Sequence, residues 1–486
     1  MKTKTITASI LVSALLTTSA LAGGFSRGSA NLDGLYASEY GDQPIISSLG
    51  VTFVNPGRSY DSVEVLVPNG GGATVEQPGY EFSESFYVPF ASIGLRFSDR
   101  SHCVGSYSQP YGADSENEGF SRFYIASQEI ETFELGATCS LGFDVGRGRA
   151  YAIGGLFYES LRYQQARDFN AFPAAGAALG APDALATIDV DSNDVGFRLG
   201  AAYEISAIAL KASLLYRSET EHDVEGEFNN VPFRGIFASQ TEAPVLGGQA
   251  QALADQAQQL GAQAQALGAQ AAQAAANGDP TLAGQLAAQA AQLGDQAVAL
   301  GGQAQQLAIQ ANAILAGLPV TDPTVTSGRA FGTATLPQQL ELNVQSGVAA
   351  GTLVFGSVKW TDWSVVQRID LFDEFSPAGA PAFTGFDGFF RDGYTVTLGV
   401  GRAFTEELAG SLAVTYDRGV GTGFDTFSDT YTLAGGVAYD LNEIANVRAG
   451  GALIYFTEGE QTQGDTRATS PDEFGYALST SLKLTF

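Results

Sequence analysis

The final stretch, Phe474-Gly475-Tyr476-Ala477-Leu478-Ser479-Thr480-Ser481-Leu482-Lys483-Leu484-Thr485-Phe486, alternates without a break. Phe474, Tyr476, Leu478, Thr480, Leu482, Leu484 and Phe486 fall on one side of an extended chain, and Gly475, Ala477, Ser479, Ser481, Lys483 and Thr485 on the other. Successive side chains of a strand point to opposite faces, so this segment has one apolar, aromatic-ended face and one small, polar face. The pattern recurs at Val195, Phe197, Leu199, Ala201 and Tyr203, and again at Tyr431, Leu433, Gly435, Val437 and Tyr439. A soluble sandwich alternates too. Many such segments, a secretion leader and a terminal Phe together favour an outer-membrane barrel, which satisfies every backbone group in lipid without leaving an edge.

Strands are read near 46–66, 83–98, 101–111, 127–145, 149–163, 192–205, 206–220, 337–347, 350–363, 393–404, 409–418, 430–441, 445–456 and 474–486. That makes fourteen, an even number, with short and long connections in strict alternation. Bacterial barrels keep short turns in the periplasm and long loops outside, so both termini are expected on the periplasmic side. The expected fold class is an all-β membrane protein, a 14-stranded antiparallel transmembrane barrel over 46–486. No stretch has eighteen or more consecutive apolar residues, as a membrane-spanning helix needs.

Lys2 and Lys4, the apolar run Ile6 to Leu16 and Ala20-Leu21-Ala22 read as a signal peptide over 1–22. Composition narrows the partners. With 24 basic against 52 acidic side chains and a net charge of -28, no nucleic acid is expected to bind. Two His and two Cys exclude a Cys/His zinc cluster, and neither a metal nor a cofactor is expected. His102 and His222 have no spacing partner and no nucleophile elbow occurs, so no catalytic residues are assigned and no enzyme is expected.

The connection from about 221 to 336 is different in kind. Leu246, Leu253, Leu260 and Leu267 recur every seven residues with Ala250, Ala257, Ala264 and Ala271 between them. After Asn277-Gly278-Asp279-Pro280 the register restarts at Leu286, Leu293, Leu300, Leu307 and Ile314, with Ala290, Ala297, Ala304 and Ala311 interleaved. A seven-residue Leu/Ala repeat predicts a narrow seam between closely approached helices. An extracellular antiparallel hairpin over 246–316 is therefore expected between strands seven and eight. A disordered Ala/Gln loop and intermolecular pairing are the alternatives.

Tyr87-Val88-Pro89, Pro110-Tyr111-Gly112, Tyr216-Arg217-Ser218-Glu219, Leu336-Pro337 with Glu341, Trp360-Thr361-Asp362-Trp363-Ser364 and Phe390-Arg391-Asp392-Gly393-Tyr394 follow one another in order. In that order they resemble the FadL/TodX family of outer-membrane transporters for long-chain fatty acids and other hydrophobic compounds. The resemblance runs from about Phe25 to Phe486 outside the helical insert. It implies a fourteen-stranded barrel with a small N-terminal hatch, here 23–45, an internal ligand pocket, and sideways release at a kinked third strand. Gly23-Gly24-Phe25 matches the family's chain start, which implies that Phe25 lies near the ligand. The family's Asn-Pro-Ala signature is missing from 26–45, which points to a shortened hatch.

For a fatty-acid carboxylate the pocket needs a cation in apolar surroundings. Arg162, Arg198, Arg217 and Arg391 are read at or near inward positions, with Arg162 and Arg391 as the leading ligand contacts. Lumenal ion pairing, Arg217 with Glu219 or Arg198 with Glu204, is the competing role. Pro110 cannot donate to a ladder, so it marks either a kink with a wall opening or the strand's end. Trp360 and Trp363 are read as interface anchors. Cys103 and Cys139 lie on neighbouring strands as a disulfide or two thiols.

The expected function is diffusion-driven import of long-chain fatty acids or similar hydrophobic molecules across a bacterial outer membrane, by a monomer surrounded by lipid and lipopolysaccharide. A general porin, or adhesion or receptor activity carried by the hairpin, is the alternative.

Overall fold

The computed structural model describes residues 25–68, 70–179, 183–231, 243–315, 327–374, 382 and 384–486. The leader read at 1–22, and Gly23-Gly24, lie outside the described residues. Fourteen antiparallel staves close into a barrel. They are β1 (Ile45–Asn55), β2 (Phe86–Ser98), β3 (Ser101–Ser108 and Gly112–Glu116), β4 (Ser127–Val145), β5 (Gly148–Arg167), β6 (Ala186–Ile205) and β7 (Leu210–Arg217 and Thr220–Asn229). The second half is β8 (Gly328–Leu336 and Gln339–Ala349), β9 (Thr352–Thr361 and Arg368–Asp373), β10 (Thr384–Asp387 and Gly393–Ala403), β11 (Leu408–Asp417), β12 (Thr430–Asp440), β13 (Ala445–Phe456) and β14 (Glu473–Thr485). Closure comes from β1, which pairs with β14 on one side and β2 on the other.

The alternation read from the C-terminal strand is the alternation of the wall. Phe474, Tyr476 and Leu478 are exposed while Gly475 and Ala477 are buried. Leu433 and Val437 on β12 face outward at 50% and 51% exposure, against 2% and 3% for Ala434 and Ala438 facing in. An apolar outer face of this extent is what a bilayer covers and water does not.

Turns at one end of the barrel are short, and the other end carries the long connections, so the molecule has a turn end and a loop end. The first strand stops at Asn55 and not at 66. Ser62–Leu66 belongs instead to a four-stranded sheet with Thr74–Pro78, Gly459–Gln461 and Thr466–Ser470, which the β1–β2 and β13–β14 connections build together at the loop end.

Between β7 and β8 stand two helices, Ala243–Ala276 and Pro280–Leu315. At 34 and 36 residues each is about 50 Å long. They pack along the seven-residue seam, where Ala250, Ala271, Ala304 and Ala311 are buried. The turn is built as its residues dictate: Gly278 takes φ +81° and Asp279 caps the second helix by accepting from the Leu282 amide at 3.0 Å. Pro280 opens that helix, where its missing N–H is no loss.

The N-terminal segment lies inside the barrel. It forms two short 3₁₀ turns, Asp33–Leu35 and Ala37–Glu39, and buries Leu35, Tyr36 and Tyr40.

Candidate functional site

Several staves are interrupted on the way from the turn end to the loop end, and the interruptions build the lumen. β3 breaks at Gln109-Pro110-Tyr111, β7 at Ser218-Glu219, β8 at Pro337-Gln338, β9 around the 3₁₀ turn Trp363–Val365, and β10 between Asp387 and Gly393. Three of the breaks turn a large side chain inward: Tyr111 on β3, Trp363 on β9 and Phe390 on β10. The Tyr111 hydroxyl donates to the Pro337 carbonyl at 2.9 Å and accepts from Gln339 at 2.9 Å. Arg217 Nη1 reaches the same Pro337 carbonyl at 3.3 Å, so three breaks are stitched to one another.

Pro110 sits in the β3 break. Beyond the Ala91–Tyr107 pair, the β2 residues Phe86 to Phe90 have ladder partners on β1 and none on β3. The N-terminal segment lies over this gap from inside. The Arg27 amide donates to the Pro110 carbonyl at 2.9 Å, and the Gly112 amide to the Phe25 carbonyl at 2.8 Å. Gly112 is required there, because a Cβ would lie 2.5 Å from Arg27 Nε. Arg27 itself pairs with Asp114 at 2.5 Å and covers the Phe86 ring.

Phe25 is the centre of an aromatic plug. Its ring lies 5.8 Å from Trp363, 5.4 Å from Phe390, 5.5 Å from Phe386 and 5.6 Å from Phe427. Trp363 is therefore no interface anchor: the β9 break carries it inward, where it is 1% exposed. Trp360 stays in the wall and donates to Asp392 at 3.0 Å.

On the loop side of the plug lies a cavity of about 330 Å³. Phe25, Phe82, Phe86, Phe390 and Phe456 supply apolar walls, and Arg58 and Arg167 line it together with the carboxylates of Asp387, Asp425 and Asp465. Arg58 is 6% exposed, and its Nη2 donates to the Thr426 carbonyl at 3.1 Å and Ser470 Oγ at 3.0 Å. Arg167 Nη2 donates to Thr384 Oγ1 at 2.9 Å. The Nε of each is buried without an acceptor, and neither guanidinium has a carboxylate oxygen within 4.0 Å among the described residues. Asp425, in the β11–β12 connection, shares this cavity; burial pushes its carboxyl up to about 7, only partly opposed by the Phe427 amide and by Arg58 and Arg391.

Of the two cations expected at the ligand, Arg162 does not line this cavity and Arg391 stands at its rim, near Asp425 and Gly419. Arg162 faces outward at the loop end and pairs with Asp189 at 2.6 Å, both half-exposed. Arg391 is exposed, and its Nε donates to the Gly419 carbonyl at 3.0 Å. The expected pairings of Arg198 and Arg217 within their own strands also give way to pairings across the lumen. Arg198 pairs with Glu134, and Arg217 bridges Glu134 at 3.2 Å and Glu159 at 2.5 Å. Glu159 also accepts from Thr220 at 2.6 Å and lies 3.6 Å from His222. Two arginines against two glutamates leave this buried girdle formally neutral.

Nearer the turn end the hatch is held by Glu39, which meets Lys483 at 2.8 Å and Lys211 at 3.3 Å. Burial would raise its carboxyl, but Lys483 and Lys211 outweigh burial and hold it at about 2. Cys103 and Cys139 are cross-strand neighbours on the outer face of β3 and β4, joined as a disulfide.

No family model matches this sequence, and no curated protein does. Solved structures do. A FadL homologue from Pseudomonas aeruginosa is 14% identical, with 98% of each chain covered and a TM-score of 0.63. The toluene transporter TodX of Pseudomonas putida is 12% identical over 98% of this chain and 100% of its own, with a TM-score of 0.51. The likeness spans the whole barrel and its inner segment, so the chain has the fold of the FadL homologue and TodX, a fourteen-stranded barrel with an N-terminal hatch and, in this chain, a helical hairpin.

Proposed function

We propose that the protein is a transport channel of a bacterial outer membrane, not an enzyme, that imports long-chain fatty acids or similar hydrophobic molecules by diffusion. The observation that carries this reading is the loop-end cavity: aromatic walls for an apolar chain, and Arg58 and Arg167, neither of which has a carboxylate oxygen within 4.0 Å among the described residues, for an acidic head group. A guanidinium in such surroundings attracts a carboxylate more strongly than it would in water. Phe25 forms the floor that a ligand touches, and Arg58 and Arg167 take the role first read at Arg162 and Arg391.

The turn end with both termini faces the periplasm, and the loop end with the hairpin faces outward, as barrels of this kind are arranged. Lipid and lipopolysaccharide surround the outer belt of a monomeric barrel, and residues 1–22 are removed on export. Release runs sideways through the β2–β3 gap at Pro110 once the Phe25–Arg27 segment withdraws from it. The aromatic plug across the lumen speaks against a general porin.

Uptake of labelled oleate and of a small sugar, in cells lacking their own fatty-acid transporter, tests the reading. Oleate uptake without sugar leakage is expected. Sugar leakage without oleate uptake overturns it in favour of a porin, and a loss of adhesion but not of uptake on deleting the hairpin would assign that element a separate role.

A further inference from the structure

The hatch meets the barrel unequally on its two sides. Toward β3–β6 it is sealed: Leu35 and Tyr36 pack with Val104, Tyr151 and Ile153, and Ser140 donates to the Leu35 carbonyl at 2.5 Å. Toward β7–β11 it leaves a cavity of about 170 Å³ that shares no lining residue with the loop-end cavity.

Apolar side chains such as Leu32, Leu35, Ile153, Leu215 and Phe355 line much of this second cavity, and several of the polar groups set among them are not satisfied by one another. Lys359 lines it at 6% exposure and makes no hydrogen bond or ion pair among the described residues. Glu341 stands opposite Lys359 in the β8–β9 register, yet its carboxylate accepts from Asn343 Nδ2 at 3.1 Å and not from the ammonium. Two acceptors are also left over: Asn343 Oδ1 and Asp33 Oδ2 are buried without a donor. Buried charges and amides carry a large desolvation cost unless something pairs with them.

The unmet groups have both signs. Asp33 and Glu341 with Glu39 behind them stand against Lys211, Lys359 and Lys483, three charges of each sign, and Lys211 and Lys483 are engaged with Glu39. A ligand of net charge would upset that balance, whereas one carrying an anion and a cation matches both sets. We propose that this cavity binds a small zwitterion, its carboxylate on Lys359 and its ammonium on Asp33 Oδ2 and Asn343 Oδ1. At about 170 Å³ the cavity is about half the size of the loop-end one, room for a molecule of amino-acid size.

Calorimetric titration of the purified full chain in detergent, with glycine as the zwitterion and acetate and methylammonium as its two halves, tests this. Glycine is expected to saturate one site per chain, with each half about tenfold or more weaker. Lys359→Met and Asp33→Asn are each expected to weaken glycine by about tenfold or more, with folding checked by heat-modifiable mobility on gels. Should Lys359→Met fail to fold, Asp33→Asn alone decides. Absence of saturable glycine binding would overturn the proposal and leave water alone in the cavity. Acetate binding as tightly as glycine, or glycine binding unmoved by both substitutions, would overturn it equally.

Discussion

Four of the arginines that point into this barrel stand in two different settings. Arg198 and Arg217, in mid-lumen, are locked to Glu134 and Glu159, and Arg58 and Arg167, at the loop end, meet only neutral oxygens among the described residues. A buried charge with its partner in place ties strands together, since removing either leaves the other stranded. One held only by hydroxyls and carbonyls keeps an unmet demand for an anion. The difference separates the part of the lumen that holds the wall from the part that is shaped to receive something.

Breaking the girdle should give the largest effect. Arg217→Met leaves Glu134 and Glu159 short of their shared cation and should cost about 3–5 kcal/mol of barrel stability, read as an earlier midpoint in urea unfolding. Arg58→Met should shift that midpoint much less; an equal loss would erase the distinction. Combining Arg58→Met with Arg167→Met should weaken oleate binding by about tenfold or more, about 1.4 kcal/mol, and leave an uncharged alkane of similar length unaffected. Equal losses for both ligands would mean that the arginines merely shape the cavity.

Acidity sharpens the same contrast by a smaller step. Below about pH 7 Asp425 is protonated and one of the carboxylates acting on Arg58, beside Glu473, is neutralised; above it the Asp425 carboxylate competes with the ligand. Oleate affinity should therefore fall several-fold between pH 6 and pH 8, and Asp425→Asn should flatten the profile. The linked stability has the same sign: a carboxyl raised in the folded state contributes most at low pH, and the contribution is lost as pH rises through about 7. The smallest effect is expected from deleting residues 243–315, whose buried seam is formed between its own two helices. The barrel's midpoint should move by less than about 0.5 kcal/mol, and a larger shift would show that the hairpin braces the wall.

Much of this was legible in the residues. A strand's face is set by a period of two and a helix seam by a period near seven, both local properties, so strand number, the outward belt and the hairpin follow from pattern alone. Pro110 also marks a kink or a strand end, because a residue without an N–H cannot extend a ladder, whereas Pro337 reads as opening a strand. The segments that carry the family resemblance, from Pro110-Tyr111-Gly112 to Phe390-Arg391-Asp392-Gly393, fall at or beside the breaks in the staves.

The inward facing read for Arg162 and Arg391 failed for an equally physical reason. In the membrane belt apolar side chains face out and polar ones in, but at the loop end Ile130, Leu161, Tyr163, Ile188 and Phe228 pack inward. Charges such as Arg162 and Asp189 turn out to water there. The rule reverses once the surroundings change from lipid to solvent, and a sequence does not mark the depth at which that happens. Arg58 lies in a connection and Arg167 at a strand end, where periodicity carries no information about facing. Sequence by itself determined the closed barrel, its parity in the belt and the helical hairpin, because each follows from neighbours along the chain. Only the tertiary structure decided which arginines are neutralised and which are left unpaired, because their partners lie on strands and loops brought together by closure.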